Sequence, residues 1–236
     1  MREEHVRWHS PTIGRNFEML VFGHAGVPVI AFPTSMGRHY QNRDFGLIGA
    51  ASWFIDNGLV KIYCPDSLDN EGWYNKAIHP ADRLRVHAHY DHLIRHELVP
   101  RAQHETGHDR VVVAGCSFGA YQATNFAFRY PGVVRHLINM GGAFDIKMQL
   151  DGFYNDDAYY NNPPDYIGGV QDPMLWQMGI VLGVGEHDFC LEANRRLSAQ
   201  LTAKGVEHWL DVKPGGVHDW PVWCQMFPEY LSRLNF

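Results

Sequence analysis

Apolar residues along the chain fall into short runs separated by stretches with helical spacing, so that strands and helices alternate. Arg15 to Phe22 and Val27 to Phe32 (VPVIAF) read as an opening hairpin around Gly23-His24-Ala25-Gly26. Asp44 to Asn57 reads as a helix, Val60 to Cys64 as a short strand and Ala81 to Val99 as a second helix. Val111, Val112 and Val113 start a β-branched run without polar interruption, the pattern of a strand buried on both faces of a parallel sheet. The period then changes, because Ala123, Phe126, Ala127 and Tyr130 fall at helical spacing until Pro131-Gly132 stops the segment. Arg135 to Met140, Met178 to Val184 and Glu207 to Val212 complete the strands, with a helix over Leu191 to Lys204. This alternation predicts an α/β protein with a mostly parallel, doubly wound sheet and helices on both faces. No repeat, linker or low-complexity block divides residues 1–236, which are expected to form a single domain.

Between the valine run and its helix stands GCSFG, a GxSxG pattern centred on Ser117. By composition, such a match is expected about 0.07 times by chance in this chain. Strand before and helix after give the sharp turn of a nucleophile elbow, in which small residues flank a strained serine. A serine hydroxyl is a poor nucleophile at its free pKa, so it needs a base, and the base needs an orienting acid. Candidates follow in that order. Met178 to Val184 ends in Gly185-Glu186-His187-Asp188, which offers Asp188, with Glu186 as the second candidate acid. Pro214 to Trp220 (PGGVHDW) is a glycine-bearing loop able to bring His218 back over the elbow, although a chain with 15 His also leaves room for a surface histidine.

The three segments GCSFG, GVGEHD and GGVHDW, in that order, resemble the esterase branch of the α/β-hydrolases. That branch includes esterase D (S-formylglutathione hydrolase), feruloyl and acetylxylan esterases and mycolyltransferases of the antigen 85 type. The resemblance runs from about Phe17 to the end. It implies an α/β-hydrolase fold and acyl transfer at Ser117, with His218 as general base and acid and Asp188 orienting it. It also implies an oxyanion hole made by the Phe118 amide and by an amide of Ser35 or Met36, in the loop Pro33-Thr34-Ser35-Met36-Gly37 that departs from the common His-Gly version. Cys116, before the serine, reads as a buried small hydrophobe.

Two stretches break the alternation. Residues 143–173 hold many Asp and Asn and the aromatics Phe144, Phe153, Tyr154, Tyr159, Tyr160 and Tyr166; by the resemblance this is a cap over the nucleophile. Asp66 to Tyr74 (DSLDNEGWY) follows the Val60 strand. Trp73, Tyr74 and Tyr154 are the candidate substrate contacts, the alternative being aromatics that pack a small core of their own or stand exposed.

His104-Glu105-Thr106-Gly107-His108 matches the zinc-protease pattern HExxH. That chemistry needs both histidines on one helical face, and Pro100, Gly107 and the nearby buried strand leave little room for the helix. His89, His92 and His96 share a helix face but read as hydrated. No metal or cofactor is expected.

A formal charge of −6 and a pI near 6.2 give no basic field for nucleic acid or a membrane surface. No run approaches a spanning helix, and the polar N-terminus is not a signal peptide. Four cysteines without CxxC spacing fit reduced thiols in the cytoplasm, and a secreted protein supplied without its leader would look the same. A small-molecule ester is the expected partner, and self-association stays open. Three readings remain: a serine esterase, an acyltransferase with the same residues, and a non-catalytic binding protein on the same fold.

Overall fold

Strands that are apolar throughout can be satisfied only with helices on both faces, and they form the middle of one eight-stranded sheet. The computed structural model describes residues 1–234. Its strands are β1 (Glu3–Ser10), β2 (Arg15–Phe22), β3 (Val27–Phe32), β4 (Val60–Pro65), β5 (Val111–Cys116), β6 (Val134–Met140), β7 (Gly179–Gly185) and β8 (Trp209–Lys213). They are ordered β1-β2-β4-β3-β5-β6-β7-β8. The β1/β2 and β2/β4 pairings are antiparallel, and all others are parallel. Every residue of β3 and β5 is buried.

Alternation along β5 divides the core. Val111 and Val113 pack with Phe126 and Ala127 on one face; Val112, Ala114 and Cys116 pack with Met226 and Phe227 on the other. The helices are α1 (Gln41–Asp44), α2 (Leu47–Ala50), α3 (Ser52–Asp56), α4 (Pro80–Leu93), α5 (Val99–Thr106), α6 (Phe118–Arg129), α7 (Asp156–Tyr159), α8 (Pro163–Tyr166), α9 (Leu191–Ala203) and α10 (Trp220–Leu231). None of the described helices is long and apolar enough to cross a membrane.

Four details differ from the sequence expectation. Residues 15–32 are not a hairpin: β4 lies between β2 and β3, and the true hairpin is β1/β2, with Trp8 opposite Phe17. The polar β1 goes unread because it is an edge strand, exposed along most of its length and held by Trp8 Nε1 and Ser10 Oγ donating to Glu97, each at 2.7 Å. The expected helix over 44–57 is three short ones, broken where Gly46 takes φ 86°. The helix over 81–99 instead continues through a π-turn at Ile94–Leu98 into α5, and Pro100 lies directly after that turn. α5 therefore provides a helix for His104 and Glu105, but Gly107 (φ 75°) closes it before His108, and Glu105 is already bound by Lys61, Tyr63 and Arg101.

Candidate active site

Ser117 lies in the turn between β5 and α6 with φ 54° and ψ −118°, a backbone conformation costly for any residue with a Cβ. Its two flanking glycines are sterically required. A Cβ on Gly115 would stand 2.2 Å from the Gly119 carbonyl carbon, and one on Gly119 would stand 2.4 Å from the Pro33 oxygen. The second contact lets the loop after β3 lie directly against the start of α6.

Ser117 Oγ is 2.9 Å from His218 Nε2, and His218 Nδ1 is 2.8 and 2.9 Å from the two oxygens of Asp188. The carboxylate can only accept, so Nδ1 carries the proton and Nε2 is left to accept from the serine hydroxyl. Asp188 is buried and also accepts the Cys190 N–H at 2.7 Å. Acid and histidine loops are tied to each other by backbone, His187 N–H donating to Gly216 at 2.7 Å and Glu186 N–H to Lys213 at 2.9 Å. Glu186, the other candidate acid, accepts the Gly215 N–H at 2.8 Å and so braces the loop that carries His218. The imidazole is held between Trp223, edge-on at 5.0 Å, and Phe189 at 4.1 Å, whose ring is 79% exposed. Beneath it, Gly141 takes φ 63°, and a Cβ there would meet Asp188 Oδ2 at 2.9 Å and His218 Nδ1 at 3.2 Å.

Phe118 is the first residue of α6, where an N–H has no acceptor within its own helix. On the facing loop the amides are differently engaged. Thr34 donates to Gln41 Oε1 at 2.8 Å and Met36 to Asp69 Oδ2 at 3.2 Å, while the Ser35 N–H has no acceptor among the described residues. Tyr74 donates its hydroxyl to Ser35 Oγ at 2.7 Å and lays its ring edge against Phe118, 5.4 Å between centroids. Asp69 is 3% exposed, and its other oxygen accepts from Gln122 Nε2 of α6 at 3.1 Å. Burial pushes this carboxyl up to about 7, against the two hydrogen bonds that favour its charged form.

The Putative esterase family matches residues 60–234. The chain belongs to that family. Membership makes it a carboxylic ester hydrolase, and the sheet order is that of the α/β-hydrolase fold. Solved structures agree on the fold. A ferulic acid esterase superposes with TM-score 0.79 at 16% identity, covering 98% of each chain. The Staphylococcus aureus fluorophosphonate-binding serine hydrolase FphF gives 0.76 at 16%, over 98% of this chain and 97% of its own. An S-formylglutathione hydrolase from Agrobacterium tumefaciens gives 0.75 at 14%, over 98% and 93%. No curated protein matches the sequence.

Of the residues singled out from the sequence, Ser117, His218 and Asp188 thus meet in one hydrogen-bonded chain, with Phe118, Ser35 and Tyr74 beside them. Three others do not fit their expected places. Met36 has its amide turned to Asp69, so this loop offers Ser35 in its stead. Trp73 is 1% exposed, packed on His87 and Tyr121 as part of the support under the Phe118 turn rather than as pocket lining. Tyr154 is spent within the insert, bonded to Asp165 under the Lys147 ammonium. The insert docks on α6, Tyr121 donating to the Asn161 carbonyl at 2.9 Å and Tyr166 to Asn125 Oδ1 at 3.0 Å. Asp69, Gln122, Gly141 and Phe189 had no signal in the sequence, since each owes its place to contacts between distant segments.

Proposed function

We propose that the chain hydrolyses carboxylic esters through a covalent acyl-enzyme on Ser117. The observation that carries this reading is the unbroken run of hydrogen bonds from Ser117 Oγ through His218 to Asp188. In the first half-reaction Oγ adds to the ester carbonyl carbon while Nε2 takes its proton, and the imidazolium is held by Asp188. The negative charge on the carbonyl oxygen faces the Phe118 and Ser35 amides, with the N-terminal end of α6 adding its dipole. Collapse expels the alcohol, protonated by His218. In the second half-reaction His218 deprotonates water, water adds to the acyl carbon, and Oγ leaves with the proton returned from Nε2. Phe189, exposed on the imidazole, places the pair at the protein surface, which favours water as acceptor. Tyr74, joined to Ser35 and Phe118, is the candidate substrate contact that stays next to the reacting carbon.

Turnover of short p-nitrophenyl esters by wild type, Ser117→Ala and His218→Ala tests this. Wild type should turn over, and each variant should lose about 10⁴-fold in kcat or more. Full activity in Ser117→Ala would remove the assigned nucleophile, and no turnover of any ester by wild type would remove the reading itself.

A further inference from the structure

His39 lies four residues beyond the oxyanion-loop Ser35 and is 9% exposed, yet neither ring nitrogen makes a hydrogen bond among the described residues. Both nitrogens face carboxylates: Nε2 is 3.9 Å from Glu18 Oε2 and Nδ1 is 3.5 Å from Asp66 Oδ2. The same Glu18 oxygen lies 3.2 Å from His5 Nε2. Two imidazoles and one carboxylate oxygen, from β1, β2 and the loop after β3, thus lie close together, all three atoms within 4.8 Å of one another.

We propose that His5, Glu18 and His39 form a zinc site that ties the N-terminal hairpin to the end of the oxyanion loop. Zinc bonds of about 2.0–2.1 Å at tetrahedral angles set ligand atoms about 3.4 Å apart, a value between the 3.2 and 3.9 Å that separate Glu18 Oε2 from the two histidine nitrogens. The two imidazoles lie nearly parallel, with 4° between ring planes and 5.3 Å between centroids. Glu18 divides its oxygens, Oε1 facing Arg7 Nε at 3.5 Å and Oε2 the two histidines, so the arginine leaves the ligand atom free. Asp66 supplies the outer carboxylate that orients a metal-binding histidine through its second nitrogen. It is held in turn by Arg38 Nε at 2.7 and 2.9 Å and by the Ser67 N–H at 3.0 Å. Imidazole ligands select zinc over magnesium or calcium, which take oxygen sets. His5, about half exposed, leaves the fourth position to water. Positions 5, 18 and 39 have no ligand-motif spacing, so the sequence is silent here.

Titration of chelator-treated full-length protein with Zn²⁺, and with Co²⁺ for its visible absorption, tests the site. One equivalent should bind, with N/O-ligated four-coordinate Co²⁺ bands. His5→Ala and His39→Ala should each weaken binding at least tenfold, and Asp66→Asn about tenfold. His5 is exposed enough that its loss leaves the fold intact, which circular dichroism checks. Replacing His92 and His96, a surface pair with rings 4.2 Å apart, should change nothing. Absence of saturable binding below about 1 mM, or binding kept in His5→Ala but lost with His92 and His96, would overturn the assignment.

Discussion

The Met36 amide donates to the buried Asp69 carboxylate at 3.2 Å, and the same carboxylate accepts from Gln122 one turn into the helix that Ser117 begins. One side chain therefore spans the two backbone segments proposed to supply the oxyanion-hole amides. Met36 sits at φ 55°, a left-handed conformation that the bond to Asp69 helps to hold.

If that bond sets the loop, Asp69→Ala should lower kcat by about 100-fold with KM changed little, because the lost alignment matters most when charge develops on the oxygen. Asp69→Asn keeps an acceptor for Met36 and, with the Gln122 amide turned over, a donor for its oxygen, so it should recover most of the rate. Steady-state kinetics on both folded proteins decide this. Equal loss in both variants would mean that charge, not loop position, is the operative property.

The same residue predicts a pH effect on stability. Burial raises its pKa from 3.8 to about 7, so the folded protein binds a proton more tightly than the unfolded chain. Its contribution to stability is complete below about pH 4 and lost as pH rises through 7. Asp69→Asn lacks this loss, and its melting temperature relative to wild type should climb between pH 4 and 7. The comparison also cancels His87, which burial lowers to about 3 and which acts in the opposite sense, destabilising the fold as pH falls below 6.5. A constant difference between the two melting curves contradicts the buried-charge account.

Gly141→Ala should damage the site without touching a reacting group. Its new Cβ presses on Asp188 and His218 at 2.9 and 3.2 Å, and its φ of 63° disfavours any side chain. A drop in kcat of about 100-fold is expected for a displacement of this kind, with stability down by about 1–2 kcal/mol. Wild-type kcat in this variant would show that the loops yield more readily than the packing implies.

What the sequence reveals and what it hides divide along physical lines. Ser117, Asp188 and His218 are readable because each follows a strand into a short loop, and that strand-to-loop pattern is local. The β1 strand is not, because an edge strand with one half-buried face carries too few apolar positions to stand out. Nor is the place of β2, since strand order depends on which edges meet in space. The choice between Ser35 and Met36 turns on Asp69, 33 positions further on, and burial alone moves Trp73 from pocket to support.

The central claim is that Ser117 becomes covalently acylated, and the direct test is peptide mass spectrometry after reaction with a fluorophosphonate. The account predicts one adduct, on the peptide containing Ser117, formed quickly in wild type, far more slowly in His218→Ala and absent in Ser117→Ala. An adduct on any other residue, or a wild-type protein left unmodified, would contradict it.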